Sequence, residues 1–307
     1  MNSQSNAVPE SAFQSQGITP AAVSPSRTLY WLIQRELWEN RSIYIAPLAV
    51  ATLFLLGFTV NILKLRRLIT ASSLDQAQQH HIFATRYELA GALIMGTALI
   101  VGIFYSLDAL YGERHDRSIL FWKSLPVSDV TTVLSKAAIP IVVLPIIGFV
   151  IAIATQFIML LLSTVMLAGS GVNIAMMWRE ASFVQVSLVL LYHFLTVHGL
   201  WYAPLYGWFL MVSAWAPRAP FIWALLPPFA ISGVEKITFN TTYFLDMLRY
   251  RLIGPPDAMP PHNEPPDFMA TLIPHHFFST PGLWSGVAVA AVFLFAAVRL
   301  RRYRGPI

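Results

Sequence analysis

Cysteine is absent from the 307 residues. That removes disulfides, thiolate zinc or iron–sulfur sites and thiol catalysis, whatever the compartment. Charge is scarce as well: Asp, Glu, Lys and Arg together make 11% of the chain, against 56% hydrophobic residues. With a mean hydropathy of +0.60, this is the balance of an all-α polytopic membrane protein, not of a soluble chain. No G-x-x-x-x-G-K-[ST] occurs, so the chain lacks the phosphate-binding loop it would need to hydrolyse ATP itself. H-E-x-x-H and G-x-S-x-G are missing too, which leaves an intramembrane enzyme without its usual machinery. The net charge of +5 is what basic flanks of membrane helices produce, and nucleic acid is not expected as a partner.

Residues 1–26 are rich in Ser, Gln, Ala and Pro and hold no Lys or Arg. They lack the charged and apolar regions of a secretory signal and read as a disordered tail. Over 27–42 the pattern turns amphipathic. Tyr30, Trp31, Ile33, Leu37 and Trp38 fall on one side of a helix, with Thr28, Arg35, Glu36 and Glu39 on the other. The expectation is an elbow helix lying in the membrane interface with its aromatics at headgroup depth, the alternative being a charged extension of the first span.

Six apolar stretches follow, at about 43–63, 87–110, 137–167, 183–215, 221–244 and 283–298. Several of them reach the ~20 residues that cross a bilayer core. The third opens inside a helix that Ser128 is placed to cap, and Pro140 and Pro145 favour kinks in it. The fifth carries Pro227-Pro228, which either break it or mark a re-entrant helix pair. Its Glu235-Lys236 lie either at membrane depth, facing a path, or at the interface. The Pro-rich segment 249–281 is expected on the external face. His193 and His198 sit in the fourth stretch without metal-ligand spacing, and the adjacent pairs His80-His81 and His275-His276 do not place two ligands on one helix face. No metal or cofactor is expected in this chain.

The densest chemistry is Tyr111–Lys136, YGERHDRSILFWKSLPVSDVTTVLSK, with four cations, three acids and the pair Phe121-Trp122. The runs Gly112-Glu113-Arg114, Ser118-Ile119-Leu120-Phe121 and Ser124-Leu125-Pro126-Val127-Ser128, followed by Lys136, resemble the loop after the second membrane helix in permease subunits of the ABC-2 family of ABC transporters. The order of apolar segments extends the likeness beyond residue 27. The resemblance implies a multi-pass permease in a bacterial plasma membrane, both termini cytoplasmic. It would pair with a second permease copy or paralogue and with separate ATPase subunits that bind ATP. Export would be its default direction. It places the ATPase contact on 111–136, with Glu113, Arg114 and Arg117 as charged rim contacts, Phe121 and Trp122 as anchors in a groove or in lipid, and Pro126 in the turn. Asn61, Thr97 and Glu235 are candidate lining residues of a substrate path between two chains. An ion-coupled transporter using Glu235 and Lys236, or a membrane scaffold that recruits a soluble partner through the loop, are the alternative readings.

Overall fold

The computed structural model describes residues 24–71, 76–169, 183–253 and 277–307, together with Ile174 and Trp178. The expected tail, most of the connection at 168–182 and the bulk of the Pro-rich segment lie outside them.

Among the described residues the fold is helical throughout. A short helix α1 (Pro25–Glu39) begins with proline in its first turn, where the missing N–H costs nothing. It ends at Asn40, so it is separate from α2 (Ser42–Ala71) and not an extension of it. Helix α3 (Gln76–Asp108) leads into the short helices α4 (Tyr111–His115), α5 (Ser118–Ser124) and α6 (Asp129–Ala138). Ser128 caps α6 as expected, its hydroxyl accepting from the Thr131 amide at 3.1 Å. A π-helical turn, Ile139–Val143, joins α6 to α7 (Leu144–Leu167). Helix α8 (Phe183–His193) continues through a second π-helical segment, Phe194–Trp201, to α9 (Ala203–Trp215). Helices α10 (Pro220–Phe239), α11 (Tyr243–Ile253) and α12 (Pro281–Tyr303) complete the chain.

Four helical stretches are long and apolar enough to cross a membrane: Ser42–Lys64, Thr85–His115, Asp129–Leu167 and Pro281–Tyr303. The pair Ser187–Trp201 and Ala203–Trp215, bent by 45°, makes a fifth when counted as one span. This is a multi-pass membrane protein. Inside these spans some hydroxyl groups return to their own helix, where no water is available to satisfy them. Ser106 donates to the Gly102 carbonyl at 2.7 Å and Thr155 to that of Ile151 at 2.7 Å.

The expected fifth span corresponds to α10, which is not among these stretches, and its prolines do not break it. The reason lies on α9. Pro228 has no N–H for the carbonyl of Ala224, and the indole Nε1 of Trp208 donates to that carbonyl instead, at 3.0 Å. At the far end Asn240 adopts left-handed backbone (φ 53°) and closes the helix.

Helices α9 and α12 pack side by side and run in the same direction. Gly207 approaches the Ala290 carbonyl, Trp208 meets Phe293 at 5.4 Å, and at their shared C-terminal end Arg304 donates to the Trp215 carbonyl at 2.8 Å. The largest core cluster sits towards that end, joining Ile43, Tyr105, Val133, Leu210 and Ala297. Directly against it lies the charged layer formed by α1, α4, α6 and the end of α12.

Candidate functional site

Glu113 and Arg114 project from α4, just past the end of α3. Where the chain turns from one helix into the other, the amides of Leu110 and Tyr111 both donate to Ser213 Oγ, at 3.0 and 2.8 Å, which fixes α4 against α9. The charged side chains therefore point inward. Glu113 is 7% exposed, Lys136 3%, Arg301 3% and Glu36 1%. Lys136 lies between two carboxylates, 2.9 Å from Glu36 and 3.1 Å from Glu113. Arg301 bridges Glu113, at 3.0 Å, and Asp129 in the first turn of α6. Arg35 closes the other side, 2.7 Å from Glu36 and 3.6 Å from Glu113. The second Glu36 oxygen accepts from Tyr105 at 2.8 Å. Burial opposes the charge on Glu36, but Lys136, Arg35 and the Tyr105 hydroxyl outweigh it and hold its carboxyl below its ordinary value.

Arg114 does different work. Its Nη1 donates to the carbonyls of Ala214 and Ala216, at 2.9 and 3.1 Å, while Arg304 takes that of Trp215. Two cations thus cap the C-terminus of α9, where the unpaired carbonyls and the helix dipole favour positive charge. The Arg114 carbonyl in turn accepts from the Ile307 amide at 3.1 Å, and Lys123 reaches the carbonyls of Arg302 and Arg304.

The expectation of Glu113 and Arg114 as rim contacts is corrected by this geometry: both are buried and occupied inside the chain. Arg117 is exposed, with left-handed backbone (φ 64°) at the start of α5. In α5 itself Ile119 is buried, and Leu120 and Phe121 point outward, 58% and 59% exposed. Trp122 lies half-buried beneath the Arg35 guanidinium, 3.7 Å above its ring. Pro126 is exposed in the turn before α6.

The elbow helix also differs from its expected division. Tyr30, Trp31 and Trp38 are exposed, but Ile33 and Leu37 pack on the core and Glu36 is buried. Arg35 and Glu36 turn towards the protein, where their charges have partners, while Glu39 stays exposed.

The candidate path residues are not brought together. Asn61 donates to the Gly57 carbonyl and Thr97 to that of Leu93, each within its own helix. Glu235 is the cap of the next helix: its carboxylate accepts from the amides of Tyr243 and Phe244, at 2.7 and 2.9 Å, and from the Thr241 hydroxyl. His193 and His198 are both buried in the bent span. No group of three metal-ligating side chains occurs among the described residues. The sequence reading missed Glu36, Arg35, Asp129, Tyr105 and Arg301 as parts of one layer. The available signal was the imbalance of α1, which carries acids and a cation on a helix otherwise suited to lipid.

Compared with protein-family models, curated proteins and solved structures, the chain matches none.

Proposed function

We propose that the chain is the membrane-spanning permease subunit of an ATP-driven transporter of the ABC-2 kind, working as an exporter. Helix α5 would be the element on which a separate ATPase subunit docks. The observation that carries this reading is the presentation of Leu120 and Phe121: two large apolar side chains adjacent on a seven-residue helix. That helix sits on a mount of buried ion pairs joined to α1, α3, α6 and α12. An exposed aromatic on a rigid support is the form of an interface anchor, and a push on α5 would reach several spans at once.

Six crossings fit the direction of the helices. Both α9 and α12 run towards the charged layer, so the chain must return across the same slab between Trp215 and Pro281. Helix α10, at 20 residues and about 30 Å, has the length to do it. In this arrangement both termini lie on the cytoplasmic side of a bacterial plasma membrane, with the exposed aromatics of α1 in the lipid headgroups. Glu235 falls at the outer interface, which leaves an ion-coupled mechanism without its intramembrane carboxylate. A second permease copy or paralogue would complete the path, and ATP would be bound by the ATPase subunits alone.

The test is purification of the tagged chain from its native membranes in mild detergent, with ATP hydrolysis measured on what accompanies it. A stoichiometric nucleotide-binding partner is expected, and Phe121→Glu should lose it while remaining monodisperse. Isolation of the chain alone, without ATPase activity, would overturn the reading.

A further inference from the structure

Two of the spans are deformed at the same level, and they touch there. The π-helical turn Ile139–Val143 contains Pro140, and the π-helical segment Phe194–Trp201 ends at the 45° bend between Trp201 and Ala203. π-helical turns in α-helices concentrate at functional positions. Here they face each other across glycines. A Cβ on Gly199 would stand 2.6 Å from the Ile141 carbonyl oxygen, and one on Gly148 would stand 2.6 Å from the Phe194 ring. Within the same segment His198 is fully buried, and among the described residues neither ring nitrogen has a hydrogen-bond partner. An unsatisfied group of this kind calls for an explanation, and strain held for a second arrangement is one.

The bend is gripped from outside the spans by α11. Trp201 Nε1 donates to the Arg251 carbonyl at 2.8 Å, and the Tyr202 hydroxyl donates to that of Leu252 at 3.1 Å. The Arg251 guanidinium lies 4.4 Å over the Trp201 ring and donates to the Gly282 carbonyl at 2.9 Å. It rests on Gly286, where any Cβ would overlap it. One side chain therefore holds the bend residue and the first turns of α12 together, and a Cβ at position 286 would displace its guanidinium.

We infer that the Phe194–Trp201 segment is a hinge on which α8 swings relative to the α9–α12 pair, and that α11 is its latch, with Arg251 as the bolt. The π-helical turn of the third span is the opposing half of the joint, so the two spans bend together. The inference stands apart from the proposed ATPase partner and is tested without one.

The chain has no cysteine, so two introduced cysteines carry two spin labels at chosen points. Leu188 on α8 and Val292 on α12 are exposed and report the swing; Ile100 and Val292 form the reference pair. Leu188 lies about 20 Å along the helix from Trp201, so a swing on the order of 10° moves it by about 3 Å. In nanodiscs, Arg251→Ala is expected to add a displaced population or broaden the 188–292 distances by that amount and leave 100–292 unchanged. Identical 188–292 distances in parent and R251A would overturn the latch. If R251A fails to accumulate, Tyr202→Phe, which deletes one hydroxyl, decides in the same way: a smaller broadening supports the latch, and none refutes it.

Discussion

Replacing Lys136 with methionine isolates the energetics of the charged layer. The ammonium is 3% exposed and shared between Glu36 at 2.9 Å and Glu113 at 3.1 Å. Methionine fills a similar volume but leaves both carboxylates without it. Glu36 retains Arg35 and Tyr105, and Glu113 retains Arg301. Deleting one partner of a buried ionic group typically costs 3–5 kcal/mol, since the remaining charge stays desolvated. For a chain of this size that is a fall of about 10 °C in Tm, readable by thermal unfolding in one detergent. Adding Glu36→Gln should recover part of the loss, with the double variant less destabilised than the sum of the singles by about 2 kcal/mol. A Tm within about 2 °C of the parent, the behaviour of an exposed ion pair, would refute the reasoning, as would strict additivity.

Acid should expose the same layer. The folded Glu36 carboxyl lies below its ordinary value, so its contribution is complete at neutral pH, begins to be lost as pH falls to the ordinary carboxyl value and is gone once pH passes below the lowered folded value; Glu36→Gln should flatten the acid limb of a Tm-against-pH curve. Gly199→Ala, whose new methyl meets backbone at Ile141, should destabilise by about 1–3 kcal/mol, while Gly57→Ala, with nothing among the described residues within 4 Å of its Cβ position, should be neutral or slightly stabilising by the same unfolding assay. Glu235→Gln should loosen the turn into α11, seen as faster amide exchange at Tyr243 and Phe244, whose N–H groups it holds; unchanged exchange there would remove its capping role.

The apolar runs made the helices and their approximate limits legible, because a ~20-residue stretch without charge has few other uses. Ser128 announced its cap, and Leu167 its helix end. What the sequence left hidden were pairings across long separations. Glu36 meets Lys136, and Arg301 meets Glu113, only once α1, α4, α6 and α12 converge. Glu113 and Arg114 looked exposed because a polar run between spans ordinarily is; Ser213 turns α4 inward, and nothing local to 111–136 signals that. Pro227-Pro228 looked like a break for the same reason, the carbonyl that Pro228 leaves free being taken by Trp208 on another helix. Leu120 and Phe121 lay in a motif already noted, but their outward direction follows from Ile119 being buried.

The tie between Trp208 and the carbonyl of Ala224 has an evolutionary reading. Position 228 can be proline because an indole stands across from it, and position 208 has a partner for its ring N–H because proline leaves one. Substituting either alone creates an orphan: a bare carbonyl on α10 after Trp208→Phe, or an indole in competition with a restored backbone amide after Pro228→Ala. The two sites should therefore be epistatic, each change tolerated better in the presence of the other. In relatives of this chain they should drift as a pair, although twenty positions apart in the sequence.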